Sequence, residues 1–176
     1  LWPLIVALLF LQSGVFADEH IHLFDSEVVV GSDGVLTVTE TITVTAEGRQ
    51  IKRGIYRDFP TKYRDQFDRT RRVSFNVISV KRDGEIESYH TEGLSNGVRV
   101  YIGRSDYFLP KGRYTYELTY ETDRQLGFFE RHDELYWNVT GNDWDFRIYV
   151  ARVTVSLPQG VPPHEINTTA FTGPAG

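Results

Sequence analysis

DGVLTVTETITV, Asp33 to Val44, decides the fold class. Leu36, Val38, Ile42 and Val44 fall on one face of an extended chain, and Thr37, Thr39, Thr41, Thr43 and Thr45 on the other. A period of two, built from β-branched residues, marks a strand with one buried face and one solvated face. Other segments repeat the pattern. Val73 to Val80 alternates. In Gly112 to Glu121, Tyr114, Tyr116, Leu118 and Tyr120 oppose Thr115, Glu117, Thr119 and Glu121. Phe146 to Leu157 places Tyr149, Ala151, Val153, Val155 and Leu157 inward. Turn signals stand between strands at Gly31-Ser-Asp-Gly34 and Arg82-Asp-Gly84. No segment carries a 3.6-residue apolar stripe of helical length. The expected fold is an all-β antiparallel β-sandwich, immunoglobulin-like or jelly-roll-like. Strand order is not readable from the pattern.

Glu40 breaks the strand's apolar face. A carboxylate there needs a cation or a proton, and RGIYRDFP, Arg53 to Pro60, offers Arg53 and Arg57. The expectation is a clamp between Glu40 and one of these arginines that fixes strand register rather than catalyses.

HDELYWNVTGNDW, His132 to Trp144, is the densest block in the chain. It reads as a strand, Glu134 to Val139, running into a turn at Thr140-Gly141-Asn142. The expected core includes Tyr56, Phe59, Trp137 and Trp144. A second reading treats the block as a sugar site. Trp137, Trp144 and Tyr136 would stack on rings, and two of Asp133, Glu134, Asp143 and Asp145 would supply the paired carboxylates of a glycosidase.

Taken in order, DGVLTVTETITV, RGIYRDFP and the tryptophan block resemble the domain of unknown function 2207 family of predicted bacterial membrane proteins. The resemblance runs from about Ile21 to the end of the chain. It implies an extracytoplasmic domain that follows a signal peptide and precedes membrane-spanning segments. It implies no activity and carries over no catalytic residue.

The ends of the chain fit that expectation. Leu1 to Ala17 carries no charge, is mostly apolar, and ends in Val15-Phe16-Ala17 before acids begin. It is short for a membrane span, which needs about 20 residues. It reads as the apolar part and cleavage site of a secretory signal whose start is missing; an uncleaved anchor is the competing reading. The expected organisation is thus 1–17 signal peptide, 18–160 β-sandwich domain, and 161–176 a linker, with a short strand at Glu165 to Phe171, toward a membrane-anchored region. The chain has no cysteine, which suits a bacterial exported domain with a core large enough to need no disulfide.

Charge is uneven. Arg49 to Arg72 holds nine bases and three acids in a chain of net charge −5. Within it, Phe59 to Val73 reads as a long polar loop whose Arg64, Arg69, Arg71 and Arg72 form a basic surface. Anionic lipid or an envelope polymer is the candidate partner, against a solvated loop that balances the acidic remainder. Nucleic acid is excluded by location and net charge. No zinc-ligand spacing is present. His20 has one special prospect: if the mature chain starts at Asp18, a third-position imidazole and the free amine would form a square-planar Cu(II) or Ni(II) site. Nucleophile elbows, phosphate loops and dinucleotide fingerprints are absent. The expected function is non-enzymatic and cofactor-free, in binding or assembly at the cell envelope.

Overall fold

The computed structural model describes residues 18–64, 69–142 and 144–173. The expected signal segment 1–17, Asp143 and the side chain of Arg64 lie outside the described residues. Among those described, the chain is all-β, with one 3-10 turn at Pro163–Glu165.

In chain order the strands are β1 (His20–Val30), β2 (Leu36–Ala46), β3 (Ile55–Pro60), β4 (Lys62–Arg64), β5 (Thr70–Arg72), β6 (Phe75–Arg82), β7 (Glu85–Ile86), β8 (Tyr89–Gly93), β9 (Gly97–Ile102), β10 (Gly112–Thr122), β11 (Leu126–Phe128), β12 (Asp133–Leu135) and β13 (Ala151–Ser156). Six of them form one sheet in the order β13-β1-β2-β10-β6-β7, and three form a second in the order β3-β9-β8. Two ribbons, β4-β5 and β11-β12, stand apart from these sheets. Every pairing is antiparallel except β1 with β13.

The large sheet is built around β2. Leu36, Val38, Glu40, Ile42, Val44 and Ala46 are all buried. The threonines on its other face bond across to β10: Thr39 Oγ1 lies 3.2 Å from Thr119 Oγ1, and Thr43 Oγ1 lies 3.1 Å from Thr115 Oγ1. Such cross-strand pairs lock register on the outer face while burial locks it on the inner one. The second sheet covers the inner face. Phe59 of β3 lies with its ring centroid 4.3 Å from Phe75 and 4.8 Å from Tyr120, both of the large sheet. Val100 and Ile102 of β9 join the same core.

The β6-β7 hairpin has the turn its sequence demands. Asp83 (φ 53°) and Gly84 (φ 87°) both take positive φ, the pattern that matches strand twist in a two-residue loop.

Several sequence expectations need correction. The run Phe146 to Leu157 is a strand only from Ala151 to Ser156, and all six of its residues are exposed. Val153 and Val155 sit opposite Ser26 and Val28, whose side chains are buried. They therefore share the core-facing side but lie past the edge of its cover. Alternation reports the pleat, not whether a facing layer reaches that far. Tyr56, expected in the core, is 38% exposed; along β3 it is Ile55, Arg57 and Phe59 that point inward. Phe59 to Val73 is not a long loop, because β4 and β5 pair within it. Glu134 to Val139 is not a continuous strand: β12 ends at Leu135. Glu165 to Phe171 forms no strand.

Glu19 shows how one side chain anchors the loop after β2. Its carboxylate accepts four backbone N–H bonds, from Glu47 (2.8 Å), Arg49 (3.1 Å), Gln50 (2.7 Å) and Ile51 (3.2 Å). Partial burial opposes the charge, yet the four bonds outweigh it and hold the carboxyl below its ordinary value. A carboxyl depressed on folding stabilises the fold above its unfolded pKa, and that stabilisation is lost as pH falls through the folded value. Glu19→Gln is expected to lose about 1–2 kcal/mol at pH 7. The gap from the parent chain should close on acidification below the usual carboxylate range, read by thermal melts across pH. A gap that does not depend on pH would exclude this role.

Candidate functional site

Four parts of the sequence meet around the guanidinium of Arg57. The β2 period turns Glu40 inward, and the β3 period turns Arg57 toward it from the facing sheet. Arg57 Nε donates to Glu40 Oε2 and Nη2 donates to Glu40 Oε1, each at 2.7 Å. Both residues are almost fully buried, Glu40 at 1% and Arg57 at 3% exposed. Tyr120 of β10 donates its hydroxyl to Glu40 Oε1 at 3.1 Å. The third arginine nitrogen, Nη1, donates to the carbonyl of Thr140 at 3.0 Å, and Trp144 Nε1 donates to the same carbonyl at 2.8 Å.

Rings enclose the cation. Arg57 Cζ lies 4.9 Å from the Phe59 centroid, 5.1 Å from Phe24 and 5.4 Å from Trp144. These contacts add cation–π attraction to a bidentate, charge-assisted pair. Burial works against the charge on Arg57, but the Glu40 carboxylate outweighs it and holds the guanidinium above its ordinary value. Tyr120 is pushed far up, first by burial and then by the charge of Glu40. The cluster is therefore a buried ion pair whose donors and acceptors are bound to one another.

The tryptophan block acts as a plug on this cluster. Gly141 packs against Arg57 with φ of 70°, and a Cβ on it would stand 2.7 Å from Nη1. The loop closes on itself through Asn138, whose Oδ1 accepts from Gly141 N at 3.1 Å and whose Nδ2 donates to Asn142 Oδ1 at 3.0 Å. A side-chain-capped loop of this kind replaces the expected continuous strand. Trp137 and Trp144 are both partly buried and packed on the core. The indole nitrogen of Trp137 is buried without a hydrogen-bond partner among the described residues.

The remaining candidates do not converge. Arg53 stacks its guanidinium 4.0 Å over the Phe108 ring, so Arg57 alone of the two meets Glu40. Asp133 and Glu134 stand exposed on β12, opposite Phe128 and Gly127. Asp145 lines a small cleft of about 70 Å³ with Gln50, Tyr56, Asp58, Trp144 and Phe146. Trp137 does not line this cleft. Arg71 and Arg72 are exposed on β5 and Arg69 is exposed just before it. His20 Nδ1 lies 2.6 Å from the Asp18 carbonyl, and its ring lies 4.1 Å from that of His22. No group of three or more His, Cys, Asp or Glu is placed to hold a metal among the described residues.

The reading of the sequence missed the Thr140 carbonyl and Tyr120. A backbone acceptor leaves no signature in side-chain identity, and Tyr120 lies 80 residues from its carboxylate partner. It also missed the bidentate pair of Arg99 with Asp58, both bonds 2.6 Å, on the outer face of the second sheet.

The family model described as Predicted membrane protein (DUF2207) N-terminal domain matches residues 20–174. The chain belongs to this family. A relative from Escherichia coli (strain K12), Uncharacterized protein YciQ, is 34% identical over 98% of the chain. The chain spans 29% of that relative's length. Among solved structures, native yeast LTA4 hydrolase is similar at a TM-score of 0.43 and 13% identity, over 59% of this chain and 14% of that one. The M1 zinc metallopeptidase from Deinococcus radiodurans is similar at 0.39 and 14%, over 61% and 21%. Similarity at this level contributes nothing to a functional argument. In this DUF2207 domain the RGIYRDFP segment has a direct structural reading: Arg57 grips Glu40, Phe59 fills the core, and Asp58 holds Arg99. Among the described residues no helix is long and apolar enough to cross a membrane.

Proposed function

We propose that this DUF2207 domain is a non-enzymatic, extracytoplasmic binding or assembly module of a membrane protein at the cell envelope. The observation that carries the non-enzymatic part is the closed cluster around Arg57. The buried acid, the buried base and the tryptophan block are bound to one another, with Tyr120 and the Thr140 carbonyl satisfying what remains. The uncharged apolar run of Leu1 to Ala17 supports export. This chain has no cysteine, so Ser105→Cys, at an exposed turn, is expected to react with a membrane-impermeant thiol reagent in intact cells or spheroplasts expressing the full-length protein with any cysteine outside this chain replaced by serine. Reaction only after the membrane is permeabilised would contradict the reading.

A carbohydrate-binding role is a second reading, supported by Trp144, Tyr56 and Asp145 around one cleft. It expects envelope glycans to quench tryptophan fluorescence in the parent chain and not in Trp144→Phe.

A further inference from the structure

One end of the domain collects features that neither the core nor the Arg57 cluster uses. β1 runs toward this end and turns at Gly31–Gly34 into β2. The last pairing of β10 lies there too, Thr122 with Leu36 and with Phe75. Both ribbons attach at the same place. Arg124 Nη1 donates to the Arg72 carbonyl at 3.2 Å, and Ser74 N donates to Asp123 Oδ1 at 2.7 Å, which ties the β4-β5 hairpin to the connection leading into β11. Leu126 of β11 lies against the Gly34 turn.

The β11-β12 ribbon carries a cluster of uncovered aromatics. Phe128 is 74% exposed, Phe129 58% and Tyr136 77%. The neighbouring hairpin brings Arg71 and Arg72, with Arg69 just before β5 and Arg124 beside it, all exposed. With His132 neutral, the ribbon itself sums to −2 at pH 7, Arg131 against Glu130, Asp133 and Glu134. The positive charge of this end is therefore concentrated in the hairpin and Arg124. β13 is parallel to β1 and places Ser156 beside Val29, so the last strand also leaves the sheet here.

We propose that this end rests on an anionic bilayer. Phe128, Phe129 and Tyr136 enter the headgroup region, and Arg69, Arg71, Arg72 and Arg124 face acidic phospholipid. Exposed aromatics on a narrow ribbon suit a soft interface, where amphipathic rings gain by partial burial and arginines add electrostatic attraction. The domain belongs to a membrane protein family, so a bilayer is always within reach. The inference rests on the extracytoplasmic reading only for which leaflet is met.

The chain lacks cysteine, so Phe128→Cys and Ile86→Cys can each carry a single environment-sensitive fluorophore. Ile86 is 91% exposed on the edge strand β7, where it pairs with Lys81 near the end of β6 away from Phe75. The same full chain is used throughout, so Leu1–Ala17 contributes equally to every variant. With vesicles containing phosphatidylglycerol, a probe at position 128 is expected to shift to the blue while a probe at 86 does not. Arg69→Gln/Arg71→Gln/Arg72→Gln should weaken the response at 128 about a hundredfold at low salt. Pure phosphatidylcholine should give a far weaker response. An unmoved probe at 128, an equal shift at 86, or a response indifferent to lipid charge and to the arginines would overturn the proposal. So would a shift caused by a soluble anionic glycan and not by vesicles, which would mark a polymer-binding surface instead. An unmoved probe leaves the extracytoplasmic reading standing, because labelling of Ser105→Cys decides that separately.

Discussion

Arg57→Met is expected to destabilise the domain by about 3–5 kcal/mol, the range for removing one partner of a buried ion pair. Glu40 would keep its place on β2 with only Tyr120 as a donor, and a buried carboxylate in that state must either take up a proton or pull the sheets apart. The loss should also spread to the tryptophan block. Arg57 and Trp144 share the Thr140 carbonyl, and Gly141 packs on the guanidinium. Removing the cation takes away the anchor of the Asn138–Asn142 loop, so tryptophan emission should shift to the red in the native state, before any unfolding. Urea denaturation followed by fluorescence reads both effects. A loss under about 1 kcal/mol, the scale of an exposed pair, with an unshifted emission spectrum, would show that the pair is incidental.

Gly54→Ala is expected to cost roughly 3 kcal/mol or more, through strain and backbone clash together. A Cβ at Gly54 would stand 1.8 Å from the Ile102 carbonyl oxygen, and one at Gly103 would stand 2.0 Å from the Arg53 carbonyl oxygen. The two glycines, at φ of 140° and 125°, let β3 and β9 approach at the start of their pairing. This is the same strand that delivers Arg57, so a displaced start shifts the clamp as well. Gly48→Ala is the comparison. Its φ of 74° is also positive but close to the left-handed region that other residues enter at modest cost, and nothing lies within 4 Å of the added carbon, so the expected cost is about 1 kcal/mol. Chemical denaturation of both variants separates steric contact from backbone preference. Equal losses would mean that the close approach of β3 to β9 contributes nothing.

How far the sequence could be read depended on what each residue reports. On β2 and β10 the alternation is visible because both faces have work: threonines and glutamates outward, aliphatics and tyrosines inward. On β13 the same alternation misled, since a strand at the uncovered edge of a sheet keeps its pleat and loses its burial. Glu40 stood out as a charge in an apolar register, and two nearby arginines were equally eligible by sequence. Only the pleat of β3, which turns Arg57 in and leaves Arg53 ahead of the strand, separates them. The role of HDELYWNVTGNDW was least legible. Its key atom is a backbone carbonyl, and its turn is held by the Asn138 side chain rather than by strand pairing. The β4-β5 hairpin hid inside a polar stretch because every side chain of β5 is exposed and so carries no period.

The contact between Glu40 and Arg57 is the joint between two sheets and one loop. A double-mutant cycle with Glu40→Leu and Arg57→Met measures that joint directly, by equilibrium denaturation of the parent, both single variants and the double. Each single change should be costly because it strands a buried charge or leaves a buried cation unpaired, while the double change removes both charges and should recover much of the loss. A coupling energy of about 2 kcal/mol or more is the expected result. Single losses that simply add in the double variant would show that the two charges do not depend on each other, and would contradict the account.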